Sequence, residues 1–209
     1  MTRLRIALAK GRLQAGAVER FRMAGIEPMA DPGRRLLIPS SDAAIDFLVV
    51  KPGDVPVYVE SGAADLGITG TDVLRESSAD VLEPLELGFG HCRLVVATPA
   101  DTPYPALPGG VTARVATKYP RLAQAHFASA GRAVEVIEIS GSVEVAPLLN
   151  LSHWIVDLVD TGNTLRANGL IERETILECG AVLVANRASQ KLKLEQHQRV
   201  MRALEGQVR

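Results

Sequence analysis

Leu85-Glu-Leu-Gly88-Phe-Gly90-His91-Cys92-Arg93-Leu-Val-Val-Ala-Thr98 is an apolar stretch too long for one ordinary strand, and two glycines interrupt it. It reads as a crossover that carries the chain out of one α/β domain and into another. Leu177 to Ala185 is a second long extended run and reads as the return crossing. Two such crossings predict a two-lobed α/β chain. Residues 1–90 plus 180–209 form a discontinuous first lobe, and residues 91–179 form the second. Ligands commonly occupy the cleft between two lobes, so the active site is expected there.

Outward from that stretch, strands alternate with helices in both directions. Leu4, Ile6 and Leu8 alternate with Arg3, Arg5 and Ala7 as a first strand. Leu13, Ala17, Phe21 and Ala24 then recur at helical spacing up to Gly25, a plausible C-cap. Asp31 to Ile38 reads as a turn opening a short strand, and Ile45–Val50 is an apolar strand broken only by Asp46. Asp54 is placed to cap a short helix with Pro56 in its first turn, and Leu66–Thr69 is a buried strand leading to a helix from Thr71. Past a Pro/Gly loop at 101–110, strands are predicted at Arg114–Thr117, Val134–Ile139 and Ile155–Val159. Helices are predicted near Pro120–Ala130 and from Ser142, and a closing amphipathic helix presents Leu194, Val200, Met201 and Leu204 on one side. Alternation of this kind specifies an open α/β sheet.

Composition narrows the function classes. The 209 residues are 47% hydrophobic and 22% charged, enough for a sizeable core, and the net charge of −1 implies no basic face for nucleic acid. No apolar run approaches the ~18 residues of a membrane span, and the N-terminus has no signal-peptide core. Cys92 and Cys179 do not make a disulfide framework, and His91, His126, His153 and His197 lie far apart. A cytoplasmic enzyme with no protein-held metal is therefore expected.

Four polar turns follow predicted strands, where open α/β sheets place their ligands: Lys10-Gly11-Arg12, Thr69-Gly70-Thr71, Ser140-Gly141-Ser142 and Asp160-Thr161-Gly162-Asn163-Thr164. The last ends the run Trp154-Ile-Val-Asp157-Leu-Val-Asp160. Backbone N–H groups of a glycine turn, two Thr hydroxyls and a helix start can wrap one phosphate, while Asp157 and Asp160 can accept hydrogen bonds from ribose hydroxyls. A sugar phosphate suits this turn. The chain has neither GxxxxGK[ST] nor GxGxxG, which argues against a P-loop NTPase or a Rossmann dehydrogenase.

Longer motifs carry a family resemblance. They include Ala-Lys10-Gly-Arg12-Leu, Val50-Lys51-Pro-Gly-Asp54-Val-Pro56, Gly62-Ala-Ala-Asp65-Leu-Gly67-Ile-Thr-Gly70, Ala-Thr-Lys118-Tyr-Pro120 and Ser140-Gly-Ser-Val-Glu144-Val-Ala-Pro147. Asp157-Leu-Val-Asp-Thr161-Gly162-Asn-Thr164-Leu165 completes the set. Nearly end to end, the sequence resembles the ATP phosphoribosyltransferases that open histidine biosynthesis. It departs at Asn150, where the family signature usually has glycine, and at Lys51, where many members have arginine. Asn tolerates positive φ best among non-glycine residues, so the turn at 150 is expected to survive. Lysine keeps the charge at 51 but loses the bidentate fork.

The resemblance implies a fold similar to type II periplasmic binding proteins and a reaction joining adenine N1 of ATP to C1 of phosphoribosyl pyrophosphate. Mg²⁺ would arrive with the substrates. Lys10, Arg12, Arg34 and Lys51 are assigned jointly to diphosphate and triphosphate charge on the nucleotide side, in the first lobe. Thr161, Gly162, Asn163 and Thr164 are assigned to the ribose 5-phosphate and Asp157 to the ribose hydroxyls. Asp160 stands where the family also allows serine or glutamate. Gly11, Thr69, Gly70, Thr71, Ser140, Gly141 and Ser142 complete the expected substrate contacts. Tyr119 or His153 is placed to stack on adenine, and Cys92 reads as core. Long members of the family continue into a regulatory domain beyond the point where this chain ends at Arg209. The resemblance is therefore to the short form, which works with a regulatory subunit resembling a histidyl-tRNA synthetase. A homo-oligomer, a dimer by expectation, within a larger hetero-oligomer follows. Two other readings share parts of the pattern: a cytoplasmic small-molecule binding module of periplasmic-binding-protein type, and a salvage phosphoribosyltransferase acting on a free base.

Overall fold

The computed structural model describes residues 3–29 and 36–206. The chain divides into two compact units, Met1–His91 with Gly180–Arg209, and Cys92–Cys179. Each is a mixed sheet covered by helices. Among the described residues, no helix is long and apolar enough to cross a membrane.

The first unit holds β1 (Leu4–Ala9), β2 (Leu37–Pro39), β3 (Ile45–Val50), β4 (Leu66–Gly70), β5 (Leu82–Glu86) and, after the second unit, β11 (Ala181–Ala185). Their order is β2-β3-β1-β4-β11-β5, with β3, β1 and β4 parallel and the others antiparallel to their neighbours. Alternate residues of β1 serve opposite faces. Leu4, Ile6 and Leu8 join Phe21 of α1 (Gln14–Met23) and Val200 and Leu204 of α8 (Leu194–Glu205). Ala7 and Ala9 join Val55 and Val59 of α2 (Asp54–Glu60). Burial on both faces is why the strands read as apolar runs. α2 lies so close to β4 that a Cβ on Gly67 would sit 2.8 Å from both Val55 and Val59.

The second unit holds β6 (Cys92–Pro99), β7 (Ala113–Thr117), β8 (Val134–Glu138), β9 (Trp154–Val159) and β10 (Leu170–Cys179), ordered β10-β6-β9-β7-β8. Strands β9, β7 and β8 are parallel, and β10 and β6 add antiparallel pairs. Leu94, Val96, Val115, Trp154 and Val156 pack on Phe127 of α4 (Pro120–Ser129), and Val95, Ala97, Ala116 and Ile155 pack on the opposite face. A clamp fastens β10 to α4 and the 101–110 loop. Arg132 donates to Glu174 at 2.9 Å and to the Tyr104 hydroxyl, and His126 meets Glu174 at 2.8 Å. Arg132 leads the groups that hold the Glu174 carboxyl down to about 2.

Two expectations, at Asp54 and Leu194, need correction, whereas Leu85–Thr98 divides at its glycines: β5 ends at Glu86, β6 begins at Cys92, and they lie in different sheets. Gly88 and Gly90 break it by adopting φ of 65° and 67°. The return run breaks likewise, at Gly180 between β10 and β11. Asp54 is the first residue of α2 and makes no capping hydrogen bond, Gly53 being the cap. In the closing segment Leu194 is 48% exposed, and the buried stripe of α8 is His197, Val200 and Leu204. Ser189 on α7 (Arg187–Leu192) lies 3.0 Å from the His197 Nε2 and serves that nitrogen of the buried ring, while Nδ1 has no partner among the described residues.

Candidate active site

In the first unit the parallel strands β3, β1 and β4 end together. Ala9 pairs with Val50 and Leu8 with Ile68, and the Lys10 N–H donates to the Val50 carbonyl at 2.8 Å. One sheet edge therefore gathers Lys10-Gly11-Arg12, Lys51 and Gly70-Thr71. Lys10, Arg12 and Lys51 are exposed there, and Gly11 turns the chain at φ 89°. Arg12 is partly engaged, donating from Nη1 to the Gly90 carbonyl at 2.7 Å. Thr71 exchanges hydrogen bonds with Gly180, its hydroxyl accepting the Gly180 N–H at 3.1 Å. Thr69 is wholly buried in β4, and the Asp72 carboxylate folds over Gly70 where a side chain would stand. Arg34 lies outside the described residues.

In the second unit the ends of β9, β7 and β8 form the corresponding edge, bringing Asp160–Thr164, Lys118 and Ser140–Ser142 to one side of the sheet. A cavity of about 190 Å³ is lined by Glu144, Leu158, Val159, Asp160, Thr161, Gly162, Asn163, Thr164 and Leu165. Gly162 takes φ 75° and ψ 5° as the cap of α6 (Asn163–Ala167), a conformation open to glycine without strain. α6 has only five residues, too short for its macrodipole to matter, so what the turn offers at the cavity is its own backbone N–H groups and hydroxyls. Ser140, Gly141 and Ser142 are exposed on the same edge but do not line the cavity, and Ser142 sits at a positive φ of 50°.

Asp157 is set back in β9, its side chain 13% exposed. One carboxylate oxygen accepts the Leu158 N–H at 2.8 Å and lies 3.7 Å from Lys118 Nζ. Burial pushes the Asp157 carboxyl above the usual range, and Glu144 adds to this, while Lys118 and the Leu158 N–H pull the other way. A carboxylate held on this footing gains from any hydroxyl donor that reaches it. Neither Lys118 nor Glu144 was assigned a role from the sequence. The signal was available, because Lys118 follows β7 as Lys10 follows β1, and Glu144 heads the signature that ends in Thr-Gly-x-Thr.

Neither proposed adenine platform is presented here. Tyr119 is 5% exposed within the hydrophobic cluster, where the α4 start draws it inward. His153 precedes β9, at the opposite end from Asp160, and its Nδ1 accepts the Arg114 N–H at 2.9 Å. Burial there pulls the imidazole below its usual range. Asn150 does adopt a positive φ, 56°, and Arg114 anchors the turn by donating to the carbonyls of Asn150 and Leu151 at 2.9 and 2.8 Å.

Comparison with known proteins finds one family over most of the chain. A family described as ATP phosphoribosyltransferase matches residues 51–206. An ATP phosphoribosyltransferase from Sorangium cellulosum is 52% identical over 192 residues, covering 91% of this chain and 89% of the relative. Another from Acidithiobacillus ferrooxidans is 46% identical over 211 residues, covering 99% and 98%. A solved structure described as the ATP phosphoribosyl transferase (HisG:HisZ) complex from Thermotoga maritima is similar with a TM-score of 0.86. It is 32% identical, and the match covers 98% of each chain.

Proposed function

The chain belongs to the ATP phosphoribosyltransferase family, and we infer that it joins N1 of ATP's adenine to C1 of phosphoribosyl pyrophosphate, releasing pyrophosphate. This is the first step of histidine biosynthesis. The observation that carries the residue-level reading is the Asp160–Thr164 turn, which lines one cavity with Glu144 and stands directly after the strand that holds Asp157. The family match counts against a binding module and against a salvage enzyme acting on free bases.

Adenine N1 carries a lone pair and no proton at neutral pH, so the nucleophile needs no strong base. The barrier is departure of a highly charged diphosphate from an oxocarbenium-like ribose. In this reading the backbone and hydroxyls of Thr161, Gly162, Asn163 and Thr164 hold the 5-phosphate, and Asp157 holds the ribose hydroxyls, with Asp160 beside them. Ser140, Gly141 and Ser142 flank that site from the end of β8, with β7 between β8 and β9. Lys10, Arg12 and Lys51, together with Arg34, neutralise leaving-group and triphosphate charge, with Gly11, Gly70 and Thr71 shaping that edge. The oxygen donors Glu144 and Asp160 at the cavity suit a hard cation carried by the diphosphate. Mg²⁺ supplies charge neutralisation when bound.

The same reading relates the two α/β units to type II periplasmic binding proteins and places the enzyme in the cytoplasm. It also gives the chain a separate regulatory subunit resembling a histidyl-tRNA synthetase, with a homodimer inside a larger hetero-oligomer. The support is a neighbour of 32% identity that is described as a HisG:HisZ complex. The decisive assay combines the purified chain, ATP, phosphoribosyl pyrophosphate and Mg²⁺, with and without such a subunit. Pyrophosphate and an N1-ribosylated ATP are the expected products. Transfer to free adenine, or no turnover in either arm, would overturn the assignment.

A further inference from the structure

The Arg166 side chain folds back onto the Thr161–Thr164 turn without lining its cavity. Its Nη2 donates to the Thr161 carbonyl at 2.9 Å and to Asn163 Oδ1 at 2.6 Å. Its Nη1 would lie 2.9 Å from a Cβ built on Gly162, and Glu172 Oε1 would lie 3.2 Å from it. Glu172 is itself held by Arg93 at 2.9 Å across the β10–β6 pair. Gly162 thus lacks a side chain where a guanidinium and a carboxylate crowd its Cα.

The peptide between Thr161 and Gly162 is the weak point of such a turn, because glycine accepts either orientation of the peptide that precedes it. In a planar trans peptide the N–H points opposite to the C=O. A guanidinium that pins the Thr161 carbonyl therefore turns the Gly162 N–H away from Arg166. We propose that Arg166 is a positioning residue for phosphoribosyl pyrophosphate: it locks the Thr161–Gly162 peptide and the Asn163 side chain so that the turn is already shaped for a phosphate before one arrives. Its fixed positive charge behind the turn adds to the potential felt by that phosphate. The proposal rests on the reading of this turn as the phosphate site. Arg166 touches no reacting atom and acts through the turn.

One nitrogen, Nη2, reaches both acceptors, and the rigid guanidinium plane fixes its direction where a lysine ammonium on a flexible stem would not. Replacing the guanidinium with Arg166→Gln should raise KM for phosphoribosyl pyrophosphate about tenfold, the scale of a lost charge-assisted hydrogen bond. KM for ATP and kcat should stay within about twofold, a split expected when binding alone is lost. Arg166→Lys should recover part of the loss, and Asn163→Ala should add little to Arg166→Gln because the two act as one unit. Amide exchange of Gly162 and Asn163 in the ligand-free protein provides the readout independent of activity, and it should accelerate in Arg166→Gln. A general loss of folding would instead lower kcat with both KM values unchanged. If KM for phosphoribosyl pyrophosphate and the two amides are both unmoved in Arg166→Gln, the positioning role is wrong while the function stands. If the wild-type chain neither binds nor turns over phosphoribosyl pyrophosphate, the function fails. The amide result then still decides whether Arg166 locks the turn.

Discussion

Asp65 and Asp157 are carboxylates little exposed to solvent, one in each unit, and their surroundings are opposite. Asp65 stands just before β4, where strands begin. It receives Lys193 Nζ at 2.8 and 2.9 Å, the Ser189 hydroxyl, and the Arg5 N–H at 2.7 Å. Burial pushes its carboxyl up, but these donors together outweigh it and hold the group below its usual value. Asp157 stands near the end of β9 and has one backbone donor and a lysine at 3.7 Å. Burial wins there, and the carboxyl is pushed up. The first acid is spent internally, fastening α7 and α8 to the sheet. The second keeps unused acceptor capacity beside a cavity, which is the pattern of a ligand-binding group.

This contrast can be broken most directly at Asp65. Asp65→Ala strands Lys193, Ser189 and the Arg5 N–H, and should cost about 3 kcal/mol of stability in chemical denaturation. Asp157→Asn should do the reverse. Affinity for phosphoribosyl pyrophosphate should fall roughly 10- to 150-fold by calorimetry. The unfolding midpoint should hold or rise, because a destabilised charge has been removed. Equal destabilisation by both substitutions would erase the distinction between the two acids.

Acid titration sharpens it further. A lowered carboxyl contributes stability above its unfolded pKa and loses it as pH falls through the folded value, so Asp65 weakens the fold only below about pH 4. Asp157 is raised, so its contribution is present below its unfolded value and is lost as pH rises through the folded one. Acidification through that folded value should therefore steady the second unit, and Asp157→Asn should lose this gain. Below pH 4.5 Glu174, held down to about 2 by Arg132, reverses that trend. Trp154, the only tryptophan, is buried in the second unit and reports its unfolding by fluorescence. A wild-type midpoint that gains nothing on that of Asp157→Asn as the pH falls would contradict the assignment. The smallest effect is expected at Asn150. Asn150→Gly should change stability by about 0.5 kcal/mol with no change in KM, because asparagine already tolerates its φ of 56°.

Much of the sheet pattern could be read directly. β1 was legible from its alternation of Leu4, Ile6 and Leu8, β3 from an apolar run broken only by Asp46, and α1 because Leu13, Ala17 and Phe21 share a face. The Thr161–Thr164 turn was legible because its chemistry is local, since a glycine at positive φ flanked by hydroxyls needs neighbours only in sequence. His197 misled because its partner Ser189 lies on another helix, and periodicity treats an imidazole as polar surface. Tyr119 and His153 misled for a related reason. An aromatic near a motif does not disclose which end of a strand, or which side of a helix start, it will occupy.

The family, the strand–helix alternation and the Thr161–Thr164 turn were legible in the sequence alone, through its motifs, glycine conformation and the periodicity of apolar residues. Tertiary structure alone decided which strands the two ends of the Leu85–Thr98 crossover pair with, β5 with β11 in one sheet and β6 with β9 and β10 in the other, because those partners are distant in sequence. It also decided which buried acid is satisfied and which is not. A carboxylate's charge state depends on donors brought in from distant segments, Lys193 and Ser189 for Asp65 and Lys118 and Glu144 for Asp157.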